Sequence, residues 1–391
     1  MTKALMVLGG TYFEECHDPQ SYVLSGSGLR GASSISGRGF QINYQSLLAT
    51  KDLALAKTIC ATYGIKSEFQ EINETITFSY LHPLSLPSVF GTNAPVEVPA
   101  IHTENLLFYG LKEANIRTKS TYAVYDPQNQ INFRDTGSET DHLALILNKN
   151  EAIKLSGLSE DTPLALVGKH IMQSQNAEVV VIKNGAKGAM VFEGGDTTEI
   201  PVFRTSSVLP IGSGDIFSAT FALKWMMEKW TAKDAALFAS KSTAGYCENR
   251  QLPIPDHPLE RPALDIETTV KKIYLAAPFF DLGQKWLVNE CRNLLLDFGN
   301  NVFSPLHDAG IGEPLIIAPK DIEAIEKADV IFAILNGTDP GTLFEIGYAR
   351  AKNKRIIVFH ENVSEVDLFM LLGTDCECHS DFSTAIYSAS W

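Results

Sequence analysis

Between Glu248 and Val270 the chain carries Pro253, Pro255, Pro258 and Pro262, with few apolar residues in register. Each proline removes a backbone donor and biases the residue before it away from helix, so residues 249–270 read as an extended linker. The break divides the 391 residues into an N-terminal part, 1–248, and a smaller C-terminal part, 271–391.

Both parts alternate apolar strand-like runs with amphipathic helical stretches, the pattern of parallel strands joined by crossover helices. In the C-terminal part the spacing predicts strands over residues 272–279, 329–335 and 355–359 and helices over 284–298 and 342–352. In the N-terminal part it predicts a strand ending in Gly9-Gly10, a strand over 143–147 and a helix from Glu151. A strand pair over 179–183 and 189–192 and a long apolar helix over 216–230 follow. Less regular strands fall between residues 67 and 98. Phe217, Phe221, Trp225 and Trp230 have helical spacing and read as core.

Composition bounds the partners. With 32 basic and 46 acidic side chains the formal charge is −14, which repels a phosphodiester backbone and an anionic membrane surface. Bulk nucleic acid is excluded as a partner, although a few N–H groups at a helix terminus still hold a phosphate. No apolar run approaches the roughly 20 residues of a bilayer span, and the run 4–10 ends in two glycines without a cleavage pattern. A cytoplasmic location without a membrane partner is expected. Cys16, Cys60, Cys247, Cys291, Cys376 and Cys378 are scattered and read as reduced thiols. His379 stands beside the last pair, but no second ligand cluster accompanies it, so no metal site is expected there.

In the C-terminal part an apolar strand from Asp329 runs through Gly337 and Asp339 into a helix bearing Glu345. Ligands of open parallel sheets bind beyond the carboxyl ends of strands, which places Asp339 and Glu345 at that rim. Taken alone, the two read equally as a helix cap and a dipole partner. Four segments in order carry more: Ile273-Tyr274-Leu275-Ala276-Ala277-Pro278-Phe279, Phe303-Ser304-Pro305-Leu306-His307-Asp308, Asp321 with Asp329, and Asp339 with Glu345. Together they resemble the nucleoside 2-deoxyribosyltransferase family over residues 272–388 and imply a flavodoxin-like parallel sheet. The resemblance implies that Glu345 is a nucleophile forming a glycosyl-enzyme, that Asp321 and Asp339 bind and protonate the base, and that Tyr274 orients the nucleophile or contacts the sugar, with no cofactor. Cleaving an N-glycosidic bond suits such a set, because positive charge develops at C1′ and negative charge on the departing base. In the family an Asn from a neighbouring subunit often completes the site; here 364–372 has none but is rich in Val, Leu, Phe and Met, which predicts a homo-oligomer through an apolar helix.

In the N-terminal part Gly212-Ser213-Gly214-Asp215 opens the long apolar helix. Successive N–H groups there form an anion cradle and Asp215 stands ready to take a hydroxyl proton, although Gly and Asp also simply cap helices. With Asn148-Lys149-Asn150-Glu151 and Ile182-Lys183-Asn184-Gly185, this segment resembles the ribokinase-like PfkB family of sugar and nucleoside kinases. The resemblance implies a ribokinase-like α/β domain over 1–248 that uses ATP and Mg²⁺. Asp215 would be its base, Gly212, Ser213 and Gly214 its phosphate cradle, Asn148 and Glu151 the positioners of hydrated metal, and Gly185 part of the nucleotide side. Leu209-Pro210-Ile211 replace the family's Asp-Thr before the cradle, and Gly26–Gly31 with Gly37–Gly39 stand in for its sugar-binding glycines. Arg30, Arg38 and Arg134, in glycine-rich or polar surroundings, are candidate phosphate ligands or solvated surface arginines.

The combined reading is a domain that breaks or exchanges an N-glycosidic bond of a small-molecule nucleoside or nucleotide, coupled to a kinase-like domain that phosphorylates or senses a sugar or nucleoside. The alternative is a phage-defence type effector that degrades NAD or another nucleotide, with the kinase-like domain binding a regulatory ligand or protein partner.

Overall fold

Strands that are apolar along their whole length, such as the fully buried Val179–Ile182, need cover on both faces, and the computed structural model supplies it with helices in two units, Met1–Leu264 and Asp265–Trp391. The structure describes residues 3–92, 94–128, 132–264, 270–310 and 312–391.

The described residues of the first unit form β1 (Ala4–Leu8), β2 (Tyr12–Cys16), β3 (Ser21–Ser25), β4 (Gln41–Ala49), β5 (Lys66–Ile72), β6 (Thr77–Tyr80) and β7 (Ser88–Phe90). There follow β8 (Val96–Tyr109), β9 (Ala114–Asp126), β10 (Glu139–Asn148), β11 (Val179–Lys183), β12 (Ala189–Glu193) and β13 (Asp196–Ile200). Nine of them make one sheet in the order β13-β12-β11-β10-β9-β8-β1-β4-β5, parallel from β5 to β11 with an antiparallel edge at β12 and β13. A second sheet runs β3-β2-β6-β7. The helices are α1 (Ser27–Ser34), α2 (Leu53–Thr62), α3 (Lys149–Ser156), α4 (Leu164–Ser174), α5 (Ser213–Ala222) and α6 (Ala232–Asn249). Leu29, Phe217, Phe221 and Ala236 of α1, α5 and α6 fill the core on one face of the large sheet. Ala152, Val167 and Ile171 of α3 and α4 fill it on the other.

The helix expected over 216–230 is shorter: α5 widens into a π-type turn over Leu223–Met227. Phe217, Phe221 and Trp225 are buried, but Trp230 lies beyond the turn, 41% exposed, with the Lys224 ammonium 4.5 Å from its ring centre. Of the linker expected over 249–270, Ile254 is buried with Ile216 and Tyr246 and Ala263 bridges to Phe203, whereas 265–269 lie outside the described residues.

The second unit forms β14 (Lys272–Ala276), β15 (Asn301–Phe303), β16 (Val330–Asn336), β17 (Arg355–Glu361) and β18 (Glu377–His379), every pair parallel. The order β15-β14-β16-β17-β18 is second-first-third-fourth-fifth in chain order, the flavodoxin-like arrangement, whose strand order reverses between β14 and β16. The helices are α7 (Leu282–Asp297), α8 (Pro314–Lys327), α9 (Pro340–Ala351), α10 (Phe369–Leu372) and α11 (Phe382–Ser390). Ile325, Ile346 and Ala349 of α8 and α9 join the core formed with Tyr274 and Ile331. Periodicity did not point to α8, because Pro319 inside it reads as a breaker. The apolar stretch after β17 is helical only over Phe369–Leu372.

At the start of α1 the chain passes so close to the end of β1 that a Cβ on Gly28 would lie 2.5 Å from the Gly9 carbonyl carbon. Both partners are backbone and neither yields cheaply. Gly28→Ala is therefore expected to destabilise the first unit by about 2–3 kcal/mol, read as a lower thermal midpoint in calorimetry; an unchanged midpoint would contradict this packing.

Candidate functional site

Asp339 precedes α9 with an extended backbone, and its Oδ2 accepts from Thr342 N at 2.7 Å and from Thr342 Oγ1 at 2.8 Å. It is thus the helix N-cap. Glu345 is not in the first turn of α9. It turns inward instead, and Tyr274 Oη on β14 donates to Glu345 Oε1 at 2.7 Å. The two residues meet beside the β14/β16 reversal, the kind of place where doubly wound sheets generally open a ligand crevice. Burial raises the Glu345 carboxyl to about 7; the Tyr274 hydrogen bond works against this, and Asp321 and Asp339 add to it. Asp321 comes from α8, and its own carboxyl is also raised by burial, against the pull of Lys320. Asp321 Oδ1 is buried without a hydrogen-bond partner among the described residues. A buried acceptor left alone is costly, so such an atom points to a missing donor.

Other residues of the expected set fall elsewhere. Asp329 Oδ2 accepts from Lys272 N at 2.8 Å, at the amino ends of the strands and away from the crevice. Phe344 and Tyr348 flank Glu345 on α9: Tyr348 Oη donates to Glu326 at 2.6 Å, and Phe344 is 65% exposed. A groove of about 570 Å³ follows the β15 edge, lined by Phe303, Lys320 and Ala324, and it includes neither Glu345 nor Asp339.

In the first unit, a cavity of about 360 Å³ is lined by Asn148, Glu151, Gly185, Gly212, Ser213, Gly214 and Asp215, so the expected residues come together. Asn148 Oδ1 accepts from Glu151 N at 2.8 Å and Glu151 Oε2 from Asn148 N at 2.7 Å, a capping box that starts α3. The pair still borders the cavity, so a cation bound through water is compatible with it. Asp215 is buried and raised to about 6: burial raises it, Arg30 lowers it, and Asp126 and Glu14 raise it.

Sequence reasoning gave no role to five further side chains here: Glu14, Asp126, Gln128, Lys183 and Ser218. Lys183 Nζ bonds Asp126 Oδ2 at 2.9 Å, Ser218 Oγ donates to the same oxygen at 2.6 Å, and Gln128 Nε2 bridges Asp126 and Asp215. Glu14, from β2, pairs with Arg30. Their signal was weak, because Asp126 and Lys183 merely close apolar strands and Glu14, Gln128 and Ser218 fit no motif. Arg30 is no surface arginine, being only 4% exposed. Arg38 instead binds the Ile254 carbonyl and Asp256, and Arg134 Nε donates to the Gln175 carbonyl at 3.1 Å.

Residues 273–382 match the family model for nucleoside 2-deoxyribosyltransferase, and residues 112–252 match that for the pfkB family of carbohydrate kinases. No curated protein matches the chain. Among solved structures, a fructokinase double mutant from Vibrio cholerae O395, bound to fructose, ADP and potassium, superimposes with a TM-score of 0.51 at 14% identity, covering 63% of this chain and 92% of that one. A ribokinase from Thermotoga maritima gives 0.49 at 15% identity, covering 65% and 97%. A pyrophosphate-dependent kinase of the ribokinase family, with a pyrophosphate analogue and myo-inositol, gives 0.47 at 17%, covering 66% and 98%. On this evidence the chain joins a ribokinase-like fold carrying a pfkB-family segment to a smaller parallel-sheet unit carrying a nucleoside 2-deoxyribosyltransferase-family segment.

Proposed function

We propose that the second unit cleaves the N-glycosidic bond of a small nucleoside or nucleotide, with Glu345 as nucleophile. The observation that carries this is the half-buried Glu345 carboxyl held by Tyr274 at 2.7 Å in the β14/β16 crevice. Tyr274 engages Oε1 and fixes the carboxylate, which attacks C1′ as the C1′–N bond breaks and its electron pair leaves with the base. Asp321, kept protonated toward higher pH by burial, gives its proton to the departing base. Water, or the nitrogen of a second base, then attacks C1′, its proton passing to the Asp321 carboxylate as the C1′–O bond to Glu345 breaks. Asp339 binds the base while capping α9. The nicotinamide–ribose bond of NAD is also broken by attack at C1′, with nicotinamide leaving neutral and needing no proton, so one assay covers both substrate classes: mass spectrometry of the full chain with deoxynucleosides, nucleoside monophosphates and NAD, with and without ATP.

In the first unit, Gly212, Ser213 and Gly214 hold the phosphates of ATP, Asp215 stands where a transferring base stands, and Gly185 borders the nucleotide. Asn148 and Glu151 hold hydrated Mg²⁺, which when bound neutralises phosphate charge. The apolar residues after β17 close the sugar site in a homo-oligomer. Val366, Phe369, Met370 and Leu372 are 83%, 73%, 68% and 59% exposed, too much apolar surface in one short stretch to leave wet.

Glu345→Gln keeps the shape and loses the nucleophile, so base release is expected to fall by about a hundredfold or more; activity within about threefold of wild type would sink the assignment. Attack needs ionised Glu345 and base departure needs protonated Asp321, so the wild-type rate is expected to be bell-shaped in pH, with one limb breaking near 7. Because the native carboxyl holds its proton up to about 7 while the unfolded one loses it near its ordinary value, stability falls as pH rises across that window. Glu345→Gln lacks that fall, which thermal melts of both proteins between pH 4 and 8 would reveal. Light scattering is expected to show a dimer or larger species that Phe369→Asp disrupts; a concentration-independent monomer with full activity would refute the interface.

A further inference from the structure

Arg30 lies in the cavity of the first unit with carboxylates on two sides. Its Nη1 donates to Asp215 Oδ2 at 2.5 Å and its Nη2 to Glu14 Oε2. Gln128 Nε2 donates to Asp215 Oδ1 at 3.2 Å, so both oxygens of Asp215 carry donors from the protein itself. Tyr109 Oη donates to the Asp215 carbonyl at 2.7 Å, which holds the first turn of α5 in place. The backbone is shaped around the guanidinium: Gly212 has φ +80°, and a Cβ there would lie 2.3 Å from Arg30 Cζ.

A base that takes a proton from an acceptor hydroxyl must present an open carboxylate oxygen to it. Here that place is filled by a side chain of the chain's own. Displacing it would leave Glu14 and Asp215 as uncompensated buried charges, the costly way to break a buried ion pair. The phosphate end of the cavity is different. A Cβ on Gly214 would come within 3.2 Å of Lys183 Nζ, so an ammonium stands beside the N–H groups that open α5.

We propose that Arg30 occupies the phosphate-acceptor position beside Asp215, so that the first unit binds a nucleoside di- or triphosphate at Gly212–Gly214 and Lys183 without transferring a phosphate. The inference rests on the reading of residues 212–215 as phosphate cradle and base, and it turns that unit from a transferase into a nucleotide-binding module. The test uses the full chain: calorimetric titration with MgATP, and chromatography of ADP formed with ribose, fructose or deoxynucleosides as acceptors. Wild type is expected to bind MgATP saturably and to form no ADP above the protein-free control. Arg30→Gln, which keeps neutral donors and vacates the acceptor position, is expected to form acceptor-dependent ADP at least about tenfold above wild type. A folded Arg30→Gln as silent as wild type would overturn the role given to Arg30. Acceptor-dependent ADP formation by wild type that Asp215→Asn abolishes would uphold the cradle and base and overturn the inference. Absence of MgATP binding would remove the cradle reading and the inference with it. Should circular dichroism show Arg30→Gln unfolded, the wild-type measurements decide alone.

Discussion

A buried carboxylate must find a donor or keep its proton, and both units are organised around that constraint. In the second unit Glu345 is answered by a neutral phenol, which engages one oxygen and leaves the carboxyl raised to about 7. In the first, Asp215 is answered by a guanidinium and an amide, which engage both oxygens and leave it at about 6. The first arrangement engages Glu345 through Oε1 alone among the described residues. The second spends Asp215 on internal pairing.

The sheets explain why these groups meet at all. The reversal of strand order between β14 and β16 leaves α8 and α9 packed in one core with β14, so Tyr274 of β14 meets Glu345 of α9, with Asp321 of α8 near enough to raise its carboxyl. In the first unit the ends of β9, β10 and β11 bring Asp126, Asn148 and Lys183 to the opening of α5. Small residues permit the approach: Gly9 and Gly28 let α1 close on β1, and Gly212 admits Arg30.

Much of this was legible in the chain. Strand runs such as Val179–Lys183 and Arg355–Glu361 are apolar on both faces because both faces are covered, and alternation with helices implied parallel sheets. The pairing of Asp339 and Glu345 on one helix was visible in their spacing, and their place at the strand ends followed from the fold class. Less was legible where two rules compete. Pro319 masks α8, the helix that brings Asp321 to the crevice. The apolar helix after Asp215 loses its register in a π-type turn that periodicity does not signal.

The sequence by itself determined what depends on neighbours along the chain: the proline-rich break, the alternation of strands and helices, the Asp339 cap and the glycine turn before Asp215. Tertiary structure decided which lone polar residues meet. Asp329 goes to the amino end of the sheet and Asp321 to the crevice, though they lie eight positions apart. Arg30 and Asp215 are 185 residues apart, and Tyr274 and Glu345 are 71 apart. A single Arg or Tyr leaves no periodic trace, and its partner is set by strand order and helix placement, which are properties of the folded sheet.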